Sequence, residues 1–311
     1  MKVRQLEQKD LQEADLIVRL AFGTFMGDPH PEEFGEGMDH VKTRWVAEPS
    51  AALAAEADGK LVGSNFAARW GSFGFFGPLT VHPDFWNKGI AKRLLDSTME
   101  LFNKWGVRHV ALFTLAQSPK HLGLYEKYGF WPRFLTPILS KPVEKKEGVE
   151  GWSKFSDVPD AERGRILERC RSVTGSIYGG LDLEREVMAV QNQRLGDTVL
   201  LWDGKTLAGL AVCHCGEGTE AGRDICYVKF GAISKGPDAG EYFGRLLSAC
   251  ESLAAMCGMA SVLAGVNTAC HDAYRRMLNR GFQTDFLGVL MLKPNEPAFD
   301  TPDSYVICDL R

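Results

Sequence analysis

Shifted by 152 residues, the sequence places Arg93-Leu94-Leu95 on Arg245-Leu246-Leu247, Gly106 on Gly258 and Val110 on Val262. Gly129-Phe130 falls on Gly281-Phe282, and Phe134-Leu135 on Phe286-Leu287. Ten identities lie between positions 76 and 135 with no gap, mostly on glycines and apolar anchors. Upstream the offset shrinks to 145 at Asp58-Gly59-Lys60 against Asp203-Gly204-Lys205, as changed loop lengths would produce. A period this long means two copies of one folding unit, and it constrains the fold before any local reading does. The 311 residues divide into residues 1–144 and 152–311, each large enough to bury a core. Polar, charged Lys141 to Gly151 reads as the linker.

Both units carry one order of elements. A short strand leads into a helix behind an aspartate, Asp10 or Asp157, expected to cap the first turn. The Asp-Gly-Lys stretches read as hairpin turns. An apolar strand ends at Val81 or Ile233, and a loop then opens a long helix. In the first copy Ile90, Leu94, Leu95, Thr98, Leu101, Phe102 and Trp105 recur at helical spacing. Gly106 or Gly258 ends that helix. A strand, a short helix and a last strand complete each unit. Strands and helices mixed this way predict an α/β (α+β) unit with a partly parallel sheet. Tyr305 to Leu310 reads as an extra strand that either completes its own sheet or crosses to the first unit.

Net charge −4, with 36 Lys and Arg against 40 Asp and Glu, argues against a nucleic-acid footprint. The N-terminus has no apolar core of a secretory signal. The longest uncharged run, Ser252 to Cys270, is broken by glycines and polar residues, so no membrane span is expected and the chain reads as soluble and cytoplasmic. All eight cysteines lie from Cys170 onward and read as reduced core thiols. In Cys213-His214-Cys215 a strand would turn the thiols to one face and the imidazole to the other, so no metal is expected.

Two segments carry chemistry. In Leu79 to Leu95 a strand runs through Val81-His82-Pro83 and Trp86-Asn87-Lys88-Gly89-Ile90-Ala91 into a helix. Unpaired N–H groups and dipole at that helix start suit a phosphate, small residues at 89 and 91 let it approach, and Lys88, Lys92 and Arg93 add charge. The second segment is Leu124-Tyr125-Glu126-Lys127-Tyr128-Gly129-Phe130. The first resembles the coenzyme A pyrophosphate loop of the GNAT (Gcn5-related N-acetyltransferase) superfamily, with Trp86 in the place of the usual Arg or Gln. The second resembles that family's C-terminal signature.

That resemblance implies tandem GNAT folds, each a mixed, partly parallel twisted sheet flanked by helices. It implies an acetyl-CoA-dependent N-acyltransferase acting on a small-molecule amine by direct attack on the thioester. A peptide or protein N-acetyltransferase and a non-catalytic acyl-CoA-binding protein are the alternatives, and a homodimer is compatible with each. Tyr125 takes the place of the general acid to the departing thiolate. Leu79, Thr80 and Val81 take the place of the strand beside the pantetheine arm, Val81 supplying an oxyanion N–H. Trp86, Asn87, Lys88, Gly89, Ile90, Ala91 and Lys92 form the pyrophosphate loop. Ser118 stands where many members carry a cofactor-contacting Asn. No carboxylate lies between Phe73 and Val81, so the general base is unassigned. His82 is adjacent, but a His before Pro is common there without a catalytic role.

Clustered acids from Asp28 to Asp39, in a segment without Lys or Arg, read either as an acceptor wall for a cationic amine or as a solvated surface. Gly71 to Gly77 reads either as a bulged hairpin at the site or as a tight turn with core aromatics. The second copy has Glu241 for Gly89, Phe243 for Ala91 and Met277 for Tyr125, so it is expected to keep the fold and lose the site, with Tyr274 and Asn267 as the remaining polar candidates.

Overall fold

The computed structural model describes residues 1–144 and 150–311. The first half runs β1 (Lys2–Gln5), α1 (Leu11–Met26), α2 (His40–Ala47), β2 (Ala52–Ala57), β3 (Lys60–Trp70), β4 (Phe73–Phe76) and β5 (Thr80–Val81). It continues with α3 (Ile90–Trp105), β6 (His109–Leu115), α4 (Pro119–Glu126) and β7 (Trp131–Pro142). The second half runs β8 (Trp152–Lys154), α5 (Asp160–Ile177), α6 (Glu184–Gln193), β9 (Gly196–Asp203), β10 (Thr206–Cys215) and β11 (Ile225–Ile233). It ends with α7 (Ala239–Met256), β12 (Ser261–Gly265), α8 (His271–Asn279), β13 (Gln283–Lys293) and β14 (Val306–Cys308). No described helix is long and apolar enough to cross a membrane.

The repeat survives at the level of strand register. β4 pairs in parallel with β6 at Phe73↔His109, Gly74↔Val110 and Phe75↔Ala111. β11 pairs in parallel with β12 at Ile225↔Ser261, Cys226↔Val262 and Tyr227↔Leu263, each residue displaced by the same 152. The last strands are exchanged between halves. β13 lies against β6 (Val110↔Lys293), and β7 lies against β12 (Val262↔Lys141). β7 and β13 also pair with each other, so one sheet runs through both units. β7 reaches Pro142, and buried Lys141 meets Glu251 at 2.8 Å. The reading of a linker from Lys141 is therefore corrected at its start, and positions 145–149 of that stretch lie outside the described residues.

Helices α1 and α2 cover one face of the first unit's sheet, burying Leu6, Ala14, Val18, Val41 and Phe66. α3 covers the other, with Ile90 and Leu94 on Leu53, Ala55, Val62 and Val81. Trp70, Phe73, Phe75, Phe230 and Phe299 meet at the seam between the halves. Each such side chain stabilises by about 1.5–3 kcal/mol when removed from water, so the seam is core and not a sliding contact. Gly71 to Gly77 holds a tight turn at Gly71-Ser72 and then β4 with its core aromatics: Gly71 has φ 64°, and Phe73, Phe75 and Phe76 are buried.

Two expected caps are corrected. The Asp10 carboxylate faces Arg4 (2.6 Å) and the Glu7 N–H, and α5 starts behind Pro159, not Asp157. An arginine competes better for a carboxylate than a helix N–H does. Asp58 (φ 51°) and Gly59 (φ 76°) form the left-handed two-residue turn expected between β2 and β3.

Candidate active site

The β4–β6 ladder stops after Phe75. Gly77-Pro78 follows, and proline has no N–H to offer a ladder. The chain resumes as β5 against β3 alone, at Gly63↔Val81 and Ser64↔Thr80. β6 runs on to Leu115 with β13 on its other edge. Between β5 and the end of β6 the sheet therefore opens as a V. His82 donates its N–H to Val62 O at 2.9 Å. Successive amides point to opposite edges of a strand, so the Val81 N–H is directed into the opening. Thr80 and Val81 are buried, and Leu79 is half-buried.

Past Val81 the chain makes a turn of 3-10 helix at Pro83–Phe85, where His82 Nδ1 accepts the Asp84 N–H at 3.3 Å. Asn87 and Gly89 take positive φ, 63° and 78°. Gly89 precedes α3, and no side chain caps that helix. The first-turn N–H groups at Ile90, Ala91 and Lys92 thus lack intrahelical acceptors and carry the positive end of the dipole. A Cβ on Gly89 would meet nothing within 4 Å, so it is the backbone angle, not crowding, that demands glycine. Asn87, Lys88 and Lys92 are exposed. Lys88 folds back, its Nζ donating to Asp84 O (2.9 Å) over the Phe85 ring.

Trp86 is used internally. Its indole N–H donates to Val81 O at 2.7 Å, and the Lys120 ammonium lies 5.6 Å from its ring. It fastens the loop to β5 rather than offering an N–H outward. Ser118 is buried and caps α4, its hydroxyl accepting the His121 N–H at 3.4 Å.

Tyr125 on α4 is 8% exposed and packs its ring 5.9 Å from that of Phe76. No described residue hydrogen-bonds its hydroxyl. Burial pushes its pKa well above the ordinary 10, so the phenol keeps its proton at neutral pH. The helix is held from both halves: Tyr128 donates to Asp96 (2.8 Å), while Lys293 of β13 donates to Tyr128 O (2.8 Å).

His121, which the sequence did not single out, lies one turn before Tyr125, on the same helical face. Its ring meets Phe25 of α1 at 4.8 Å. Since α1 packs on β5 and α4 on β6, this contact spans the opening. Burial, with the Lys120 charge second, holds its pKa below the ordinary 6.5. The signal available was an imidazole four residues before Tyr125 in a short apolar helix.

Of the acidic segment, Glu32, Glu33 and Glu36 are exposed, and Asp39 caps α2 through the Lys42 N–H (2.8 Å). His40 turns inward, 3.7 Å from Glu220. The segment is fastened to the second half by Asp39 N–H to Thr219 O and Gly218 N–H to Gly37 O, both 2.8 Å.

The second half opens between β11 and β12 one residue pair later, after Val228↔Ala264, but its own chain fills the gap. β14 pairs with β11 at Phe230↔Cys308, Gly231↔Ile307 and Ala232↔Val306, the positions matching Pro78 to Thr80. Asp309 follows, against Gly265, whose missing side chain leaves the room. The extra strand therefore completes its own sheet. Phe243 and Met277 are fully buried. Asn267 bonds Thr136 (3.1 Å), and Tyr274 packs on the core. Cys213 is buried in the core beside Cys226 and Cys250, while His214 Nδ1 accepts the Glu220 N–H on the other face.

No curated protein matches the chain. Among solved structures it resembles a candidate acetyltransferase of Pyrococcus horikoshii, at 14% identity and TM-score 0.70 over 99% of this chain and 94% of that one. It also resembles a GCN5-related N-acetyltransferase of Sphaerobacter thermophilus, at 17%, 0.60, 96% and 96%. A third is Saccharomyces cerevisiae N-myristoyltransferase with bound myristoyl-CoA, at 10%, 0.63, 100% and 84%. At such identities the likeness is one of fold. The acetyltransferase (GNAT) family model matches residues 20–130, the part of the chain that holds the open cleft, the uncapped helix and Tyr125.

Proposed function

We propose that the chain is an acyl-CoA-dependent N-acyltransferase, with acetyl-CoA as donor and a small-molecule amine as acceptor. The observation that carries this reading is the V-shaped opening, which has an uncapped helix start at one side and a buried phenol at the other. The pyrophosphate would lie at the N–H groups of Ile90, Ala91 and Lys92, and the pantetheine arm along Leu79 to Val81. The Val81 N–H would polarise the thioester carbonyl. The amine nitrogen attacks that carbon, the C–N bond forms, the C–S bond breaks, Tyr125 gives its proton to the sulfur, and the surplus proton on the new amide nitrogen restores the phenol. Holding both reactants in one cleft supplies much of the acceleration.

The ammonium form of the acceptor must first lose a proton, and the neutral imidazole of His121 suits that step. His121 is competent only above its lowered pKa, so kcat at saturating amine should hold through the ordinary imidazole range and fall only at a pH below it. In His121→Gln the acid limb of that profile should move up toward the amine's own pKa, and kcat at pH 7 should fall by on the order of 10²-fold. An unchanged limb would remove His121 from the mechanism.

We take the segment after α1, which is clamped to the second half, as one wall of the acceptor side, a reading that favours a small amine over an extended peptide. We assign catalysis to residues 1–144 and a supporting role to residues 152–311, whose cleft is filled by β14. Titration calorimetry is expected to find one CoA per chain. Two would contradict that division. Steady-state turnover of acetyl-CoA with a panel of amines tests the activity itself, and tight CoA binding without turnover would favour a binding protein.

A further inference from the structure

We propose that the second half positions the first half's cleft through a buried relay, Glu220 to Arg44 to Gly77, which makes Glu220 a positioning residue for the reaction. This deepens the function proposed for that cleft and rests on it. Glu220, in the connection from β10 to β11, is fully buried. Its carboxylate takes a two-pronged contact from Arg44 on α2, Nε to Oε1 at 3.0 Å and Nη2 to Oε2 at 2.9 Å. The remaining prong, Nη1, donates to the carbonyl of Gly77, and Nη2 also reaches the carbonyl of Arg311.

The carboxylate is itself held from behind. Lys229 donates to Glu220 Oε1 at 2.9 Å and meets Glu186 at 3.0 Å, and the Trp70 indole N–H donates to Glu186 at 3.0 Å. A planar guanidinium gripped in this way can point in only one direction.

Gly77 is where the strand leaves β6 to open the V. It has no side chain, and Pro78 has no N–H, so neither can fix the turn. Its N–H donates to Phe66 O at 2.8 Å, and its carbonyl is held by Arg44. Rotation of the Gly77 peptide would swing Leu79 to Val81, and with them the N–H that faces the thioester. The filled second unit thus contributes the carboxylate that aims Arg44, and the distance in sequence, 176 residues, measures how far that support reaches.

The test compares Glu220→Gln with Asp10→Asn, which breaks a partly buried ion pair with Arg4 at the outer edge of the sheet. Both variants are expected to melt earlier, and both are assayed well below their melting points. Glu220→Gln should lower kcat by on the order of tenfold or more, with KM for acetyl-CoA within about threefold. Asp10→Asn should keep kcat within about twofold. Hydrogen exchange across residues 77–82 should quicken in Glu220→Gln and not in Asp10→Asn. If Glu220→Gln does not fold, Arg44→Lys, which keeps the charge and loses the fork, takes its place with the same expectations. Equal kcat losses and equal exchange in the paired variants would overturn the relay. If the wild-type protein turns over no amine, the proposed activity fails, and the exchange contrast still decides the relay.

Discussion

Tyr125→Phe is expected to lower kcat by on the order of 10²-fold or more while CoA affinity stays within about threefold. The geometry separates the two quantities. The ring is held by Phe76 and by the apolar cluster of Phe102, Leu112 and Phe130, and phenylalanine fills the same space. No described residue bonds the hydroxyl, so its removal strands no partner, and stability should change by less than about 1 kcal/mol. What disappears is the proton offered to the sulfur. Because burial holds the phenol well above its ordinary pKa, the wild-type profile should show no Tyr125 basic limb below about pH 10. The check is kcat by stopped assay beside Kd by calorimetry. A kcat within about threefold of wild type would make Tyr125 a packing residue, and the leaving thiolate would then take its proton from water.

Local patterning was enough to delimit the elements around the candidate site. Strand periodicity, the Asp58-Gly59 turn and the helical spacing of Ile90, Leu94 and Leu95 are local signals, and they correspond to β2, β3 and α3. Gly89 is legible for the same reason, since a helix start that needs positive φ selects glycine within a few residues of sequence. The common offset survives because strand register is conserved between the copies residue by residue.

Partner choice was not legible. β7 and β13 present the same alternation of side chains whichever neighbour they pair with, so their exchange leaves no mark in either strand's pattern. Tyr305 to Leu310 reads as a strand in any sheet, and only Gly265, which makes room for Asp309, reveals where it docks. Arg44 and Glu220 carry no local signal, because their compensation comes from 176 residues away. His121 carries no motif at all. Its meaning comes from the helical turn it shares with Tyr125 and from Phe25 across the opening.

Gly89→Glu, which installs the residue found at the matching position of the second copy, is expected to weaken CoA binding by about 10²-fold or more. Two effects add. Gly89 has φ 78°, a conformation that costs other residues about 1–2 kcal/mol, so any side chain there loosens the turn that aims the first N–H groups of α3. The carboxylate then stands at the mouth of that helix, where a negative ligand is meant to sit. At about 4 Å, one pair of like charges costs about 1 kcal/mol in water and about 4 kcal/mol at the reduced dielectric of a protein surface. Gly89→Ala separates the two contributions. A Cβ there meets nothing within 4 Å, so alanine pays only the backbone cost, and its affinity should fall by about tenfold. The loss in Gly89→Glu should also shrink as salt is raised, since the site is exposed and screening acts on the charge but not on the backbone. Calorimetry of CoA against the wild type and both variants at low and high salt reads all of this at once. Equal affinities for the glutamate variant and the wild type would place the pyrophosphate away from α3.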